Sequence, residues 1–302
     1  MFMELQRNIL LFFSGINDNP FIFYTAKVIS FLGNEFFPTF ILLLIFWCFD
    51  KKKGVAGTLI ILIASNISGI IKASVKAPRP WNVIDGLNAK EMDVEMGYSF
   101  PSGHSTNAGS VYGALARHSK LIILCIILII LIPLSRMVLC VHWLIDVVAG
   151  VLLGLSVVFL FYRFLDKYLD DVKKYRKQFY LLGGLATIAG LTISIILQFF
   201  NGDPVAFTSL AKTLTMLGAI LIFYTVEETH LGFSCNGSTK QKILRFLVGG
   251  LCSGAILYIP HLLLPEMALI KFIRYFAATA FAFLYPLIGV KIGLFEKPSA
   301  EN

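Results

Sequence analysis

The hydrophobic and polar positions of this chain fall into long blocks, not into the short alternation of a strand or the narrow stripe of a soluble helix. Apolar runs, many of about 20 residues, are separated by short clusters of charge, Pro, Gly and Asn. Met1 to Ser14 is amphipathic and too broken to span a bilayer, and Asn17-Asp18-Asn19-Pro20 ends it, so it reads as a helix on the membrane surface. Phe21 to Leu32 is apolar but short and carries Lys27, and is expected to lean on the membrane ahead of the first span. Spans are then expected at about Glu35 to Phe49, Val55 to Val75, Pro101 to Lys120, Leu121 to Leu134, Trp143 to Phe164, Phe179 to Phe200, Phe207 to Thr225, Ile243 to Leu264 and Ala268 to Ile292. The pattern predicts an all-α, polytopic integral-membrane helical bundle of about nine transmembrane helices. It divides into interfacial helices at 1–34, a first bundle at 35–177 and additional C-terminal transmembrane helices at 178–302.

Composition agrees. Hydrophobic residues make up 57% of the 302, above the ~45–50% of soluble domains. The formal net charge of +8 would suggest nucleic acid in a soluble protein, but here a positive-inside bias accounts for it, so no nucleic-acid partner is expected. Lys51-Lys52-Lys53 anchors the cytoplasmic face. Counting spans from it puts Lys72 to Arg79, Pro101 to His104 and Arg136 to His142 together on the extracytoplasmic face, with the C-terminus cytoplasmic. Asp166 to Lys177 is expected as a cytoplasmic loop, Glu227-Glu228 as a solvated pair, and Asp85, Glu91, Asp93 and Glu95 as an acidic outer loop. The compact loops lean toward a bacterial inner membrane. The five cysteines show no paired spacing, which argues against a disulfide frame or metal cluster; no cleavable signal peptide is seen, and nothing signals an oligomeric state.

Chemistry gathers where charge interrupts the apolar runs. Ionisable residues at such places are costly and need partners, which makes Arg136, His142 and Asp146 a site by default. His142 and Asp146 are four apart, so on a helix a carboxylate would sit beside an imidazole and hold one tautomer. Lys72 and Arg79, seven apart, offer a point charge and a planar fork suited to phosphate oxygens, and Pro80 stops the helix there. Lys76 reads better as a snorkelling cation. Pro101-Ser102-Gly103-His104 opens a helix whose N–H groups can receive an anion, with Ser102 as donor and His104 at the rim, although a plain capped helix start has the same sequence. His118, His230 and His261 sit at span ends without matching partners. Taken together, the three clusters suit attack of a neutral imidazole on phosphorus, with a second histidine protonating the leaving oxygen. A transporter or binding protein for a phosphate ligand would need the cations and amides but not the paired His142 and Asp146.

The segments KASVKAPRP, PSGH and SRMVLCVHWLID resemble the three signature motifs of the type 2 phosphatidic acid phosphatase superfamily, which also includes glucose-6-phosphatase and vanadate-dependent haloperoxidases. Lys72, Arg79 and Pro80 match the first motif, Ser102, Gly103 and His104 the second, and Ser135, Arg136, His142 and Asp146 the third. The resemblance implies a metal-independent phosphohydrolase without a cofactor, residues 35–177 being its phosphatase core. It implies His142 as nucleophile, Asp146 as its orienting partner, His104 as general acid, and Lys72, Arg79, Ser102, Gly103 and Arg136 as phosphate ligands. Substrates in view are a lipid phosphate or polyprenyl diphosphate held in the bilayer. A sugar phosphate is the alternative, because the nine-span layout is similar to that of the glucose-6-phosphatase group.

Overall fold

The computed structural model describes residues 2–89, 97–117 and 121–297. Among the described residues there are helices, a single β-bridge between Ser234 and Glu296, and no strand. The expected acidic residues Glu91, Asp93 and Glu95, and also His118, lie outside the described residues. Helices α1 (Phe2–Ile16), α2 (Pro20–Phe31) and α3 (Phe36–Cys48) precede the long α4 (Lys51–Val75). Three consecutive pieces follow: α5 (Gly103–Asn107), a π turn (Ala108–Tyr112) and α6 (Gly113–Ala116). Then come α7 (Ile122–Val138), α8 (Leu144–Leu169), α9 (Val172–Phe199), α10 (Pro204–His230), α11 (Thr239–Leu263) and α12 (Ala268–Lys291).

Six helices, α4 and α8 to α12, are 24 to 28 residues long. At about 1.5 Å per residue each can cross about 30 Å of hydrocarbon. The pair α2 and α3, bent by 42° at its break, adds a seventh span when taken as one. The chain is thus a multi-pass integral membrane protein. Its expected third span has an irregular form: among the described residues α5, the π turn and α6 hold five, five and four residues, together about 20 Å. The expected loop from Asp166 to Lys177 is helical except at Asp170 and Asp171, because α8 runs to Leu169 and Asp171 caps α9 by accepting from Lys174 N at 3.0 Å. α7 also runs further than its apolar run, to Val138, which places Arg136 in its last turn.

The chain forms two compact units, Met1–Pro38 with Ile63–Tyr162 and Thr39–Leu62 with Arg163–Asn302. In the first, α8 lies against α5 at backbone contact. A Cβ on Gly150 would fall 2.6 Å from Ser102 O, one on Gly154 2.6 Å from Ser110 N, and one on Gly109 2.6 Å from Val151 O. Glycines four apart let helices approach this closely in a membrane, and here they seat the start of α5 beside the start of α8. Asn107 Nδ2 donates to Gly33 O (3.1 Å) and the Tyr112 hydroxyl to Leu32 O (2.8 Å), which fixes the turn after α2 against the same segment. α1 does more than lie on a surface. Leu10 is buried with Ile84, Leu87, Cys140 and Trp143, and Asn17 Nδ2 donates to Asn88 O (2.9 Å) and Val138 O (3.1 Å).

The second unit is closed by aromatic packing of Phe46 on Phe233 and Phe283, with ring centroids 5.3 and 4.7 Å apart, and by Trp47 Nε1 donating to Ala282 O at 3.0 Å. Glu227 and Glu228 are not a solvated pair. Both end α10, Glu227 is fully buried, and Lys51 Nζ reaches one oxygen of each at 2.5 and 2.6 Å. The carboxylate of Glu227 also accepts from Phe233 N at 2.9 Å. A buried carboxylate persists because this cation and amide compensate its desolvation. Phe159, Leu181 and Leu251 face outward and exposed, as expected for side chains that meet lipid.

Candidate active site

The turn between α7 and α8 carries the centre of the site, and its backbone explains its shape. α7 ends in a Schellman motif: Val141 N donates to Arg136 O (3.2 Å) and Cys140 N to Met137 O (2.9 Å). Cys140 takes the left-handed position at φ 59°, where a side chain costs about 1–2 kcal/mol. The reversal turns His142 back over the end of α7, and two residues later α8 begins. Asp146 is the third residue of α8, and its Oδ2 accepts from Trp143 N at 2.8 Å, so the carboxylate caps its own helix. A second open N–H of that first turn, on Ile145, is met by Gln6 Oε1 from α1 at 3.0 Å.

His142 and Asp146 are each 1% exposed, and His142 Nδ1 lies 3.3 Å from Asp146 Oδ2. On the other side Arg79 Nη1 lies 3.0 Å from His142 Nε2. A guanidinium can only donate, so Nε2 carries the lone pair and Nδ1 the proton. Burial, and after it the charges of Arg79, Lys72, Arg136 and His104, pushes the His142 imidazole well below its ordinary pKa. At pH 6.5, where a free imidazole is about half protonated, His142 is expected to remain neutral as the Nδ1–H tautomer. Nitrogen-15 histidine spectra of the detergent-solubilised protein, assigned with a His142→Gln variant, check this; titration of His142 at or above pH 6.5 would contradict it.

The other two clusters converge here. Lys72, in the last turn of α4, donates to Tyr98 O (2.7 Å) and Ser99 O (3.4 Å). Arg79, buried, donates from Nε to Gly97 O and from Nη1 to Val141 O, both at 3.0 Å, and its guanidinium lies 5.4 Å from the Trp81 ring centroid. Pro80 opens the 3-10 turn Pro80–Asn82 and is buried, which fixes the backbone after Arg79. Ser102 is the N-cap of α5, and its N–H donates to Asp146 O at 3.0 Å, a direct backbone link between the second and third clusters. A Cβ on Gly103 would meet nothing within 4 Å, so the helix start opens to free space there, and His104 beside it is half-buried. Arg136 is buried with Nη1 donating to Ser30 Oγ of α2. Ser135 turns its hydroxyl to Ile132 O (2.7 Å), within its own helix. Among the described residues no three His, Cys, Asp or Glu side chains are grouped as metal ligands.

Sequence reasoning missed Ser99. Fully buried, it donates from Oγ to Asp146 Oδ2 and lies 3.4 Å from His142 Nδ1, while its N–H donates to Ala77 O at 2.9 Å. Gln6 and Trp143 were missed as well; Trp143 Nε1 donates to Pro78 O at 3.1 Å and ties α8 to the Arg79 loop. His261, expected without a partner, pairs with Glu266.

Comparison with known proteins finds similarity over two stretches of the chain. The model of the PAP2 superfamily matches residues 54–170, and that of the PAP2 superfamily phosphatase transmembrane extension matches residues 211–298. Phosphatidylglycerophosphatase B of Bacillus subtilis is 35% identical over 96 residues, 28% of this chain and 45% of that protein. Undecaprenyl-diphosphatase of Sulfolobus acidocaldarius is 35% identical over 135 residues, 42% of this chain and 63% of that protein. The matches thus span less than two thirds of either relative. The crystal structure of a transmembrane PAP2 type phosphatidylglycerolphosphate phosphatase from Bacillus subtilis aligns with 55% of this chain and 86% of its own, at 26% identity and a TM-score of 0.44.

Proposed function

The chain belongs to the PAP2 superfamily, and from that premise we propose that it is a membrane phosphatase that releases phosphate from a lipid phosphate or a polyprenyl diphosphate. The observation that carries this reading is the buried imidazole with Nδ1 facing Asp146 and Nε2 facing Arg79. A site that only bound phosphate would need the cations but not an imidazole held in one tautomer by a carboxylate, and this disfavours the transporter or binding reading. In the proposed reaction the Nε2 lone pair of His142 attacks phosphorus as the bond to the leaving oxygen breaks, and His104 in its charged form protonates that oxygen. The product is a phosphohistidine whose ring carries a positive charge that Asp146 offsets. His104, now neutral, takes a proton from water; the hydroxide attacks phosphorus, the P–N bond breaks, and His142 returns to its starting form. The guanidinium of Arg79 shifts from Nε2 to the phosphoryl oxygens and, with Lys72, Arg136, Ser102 and the N–H groups at Gly103, neutralises their charge.

Both curated relatives carry lipid substrates in their names, and the apolar outer faces of the helices around the site suit a substrate whose tail stays in the bilayer. The basic cluster Lys51 to Lys53 and the site residues Lys72 and Arg79 flank the two ends of α4, which supports an extracytoplasmic site with the C-terminus in the cytoplasm of a bacterial cell. Purified protein in detergent with EDTA is expected to release phosphate from at least one of phosphatidate, phosphatidylglycerol phosphate and undecaprenyl diphosphate, and not from glucose 6-phosphate. Release from the sugar phosphate alone would move the substrate to the soluble class, activity only with added divalent metal would overturn the metal-free mechanism, and no release from any would return the binding reading.

A further inference from the structure

The C-terminal extension contains a buried cation that its own fold pairs only at long range. Arg274 is the seventh residue of α12, about 9 Å inside the helix start, and is 9% exposed. Among the described residues its Nε is buried without an acceptor. The guanidinium has one ionic contact, Nη1 to Glu266 Oε1 at 3.6 Å, which is too long for a hydrogen bond. Glu266 is already engaged: Lys271 Nζ lies 2.7 Å from its Oε2, and His261 Nδ1 meets its Oε1. The hydrogen bond from Lys271 holds the Glu266 carboxyl below its usual range, so it is a fixed anion. One carboxylate thus faces two permanent cations.

A purely structural ion pair in this position would close to hydrogen-bonding distance, and a cation merely reaching for water would point outward as Lys271 does, with its side chain 35% exposed. Arg274 does neither. With Lys271 and His261 it is grouped around the Glu266 carboxylate. The missing complement is an anion with two oxygens for the guanidinium fork and one for the Lys271 ammonium, which is the geometry of a phosphate. Next to these residues in sequence, Leu262, Leu263 and Ile273 are exposed, so a ligand held there has apolar, outward-facing surface at hand.

We propose that this cluster is a second phosphate site, separate from the hydrolytic one, which holds the phosphodiester head group of an anionic phospholipid while its chains lie along Leu262, Leu263 and Ile273. One phosphodiester charge brings Lys271, Arg274 and Glu266 to neutrality. The proposal is tested by thermal unfolding of the detergent-solubilised full chain during titration with phosphatidylglycerol, phosphatidylcholine or inorganic phosphate. Phosphatidylglycerol is expected to raise the midpoint saturably, more than phosphatidylcholine, with the apparent affinity weakened about tenfold or more in Arg274→Gln and Lys271→Gln and unchanged in His142→Gln. Should Arg274→Gln fail to fold, the more exposed Lys271→Gln decides. The proposal is overturned if the variant that decides binds as wild type does, if His142→Gln abolishes the shift, which would assign the lipid to the hydrolytic site, or if inorganic phosphate alone reproduces it, which would mean an adventitious ion only.

Discussion

Replacing His142 by Gln lowers phosphate release by about four orders of magnitude or more, equivalent to at least ~5 kcal/mol of lost transition-state stabilisation, in a protein that still folds. The loss is large because an amide cannot take the place of the Nε2 lone pair. The fold survives because the groups around the ring keep other partners. Arg79 retains the carbonyls of Gly97 and Val141, and Asp146 retains Trp143 N and Ser99 Oγ. Brief reaction with substrate labelled in its terminal phosphate, quenched in alkali, is expected to leave label on the wild-type chain and none on the variant. A variant that turns over within tenfold of wild type, or that still takes up label, would show that another group attacks phosphorus.

Much of this site is readable in the sequence because each of its ionisable members stands against an apolar background. Lys72 ends a long hydrophobic run, Arg136 and His142 interrupt two others, and a charge in such a place needs a reason. Ser99 gives no such contrast. It is a small polar residue beside Phe100 in a loop, and its role appears only when the chain brings Asp146, 47 positions away, onto its hydroxyl. Gln6 is hidden in the same way: in an amphipathic helix a glutamine reads as solvated, and its partner lies 139 positions on. The third expected span takes an irregular form for a related reason. The segment after Pro101 is rich in small and polar residues: Ser105, Thr106, Gly109, Ser110 and Gly113 pack it closely on α8, and a π turn interrupts it. Hydropathy measures transfer into lipid and cannot tell that environment from a close helix contact. Glu227 was misread because parity assigned it to a watery face, while its salt bridge to Lys51 depends on a contact 176 positions apart in sequence.

Asp146→Asn is expected to reduce phosphate release by about 10³- to 10⁴-fold, although the substitution removes no atom from the packing. Three donors converge on Asp146 Oδ2: Trp143 N–H, the Ser99 hydroxyl and His142 Nδ1–H. An asparagine can satisfy them with its carbonyl oxygen and so keep the α8 cap, but it carries no charge to offset the one that His142 acquires when Nε2 bonds to phosphorus. Its amide can also donate to Nδ1 and move the ring proton to Nε2, where the lone pair is needed. Ser99→Ala separates orientation from charge. It deletes one neutral donor to a carboxylate, worth about 1.5–3 kcal/mol, and leaves both the carboxylate and the imidazole contact, so a loss of about 10- to 100-fold is expected. In the double variant the serine contributes little beyond Asp146→Asn alone, because its partner's charge is already gone. Comparing kcat of the two single variants and the double variant checks the scheme: if Asp146→Asn stays within tenfold of wild type, the carboxylate neither holds the tautomer nor offsets the imidazolium, and its part in the site reduces to capping α8.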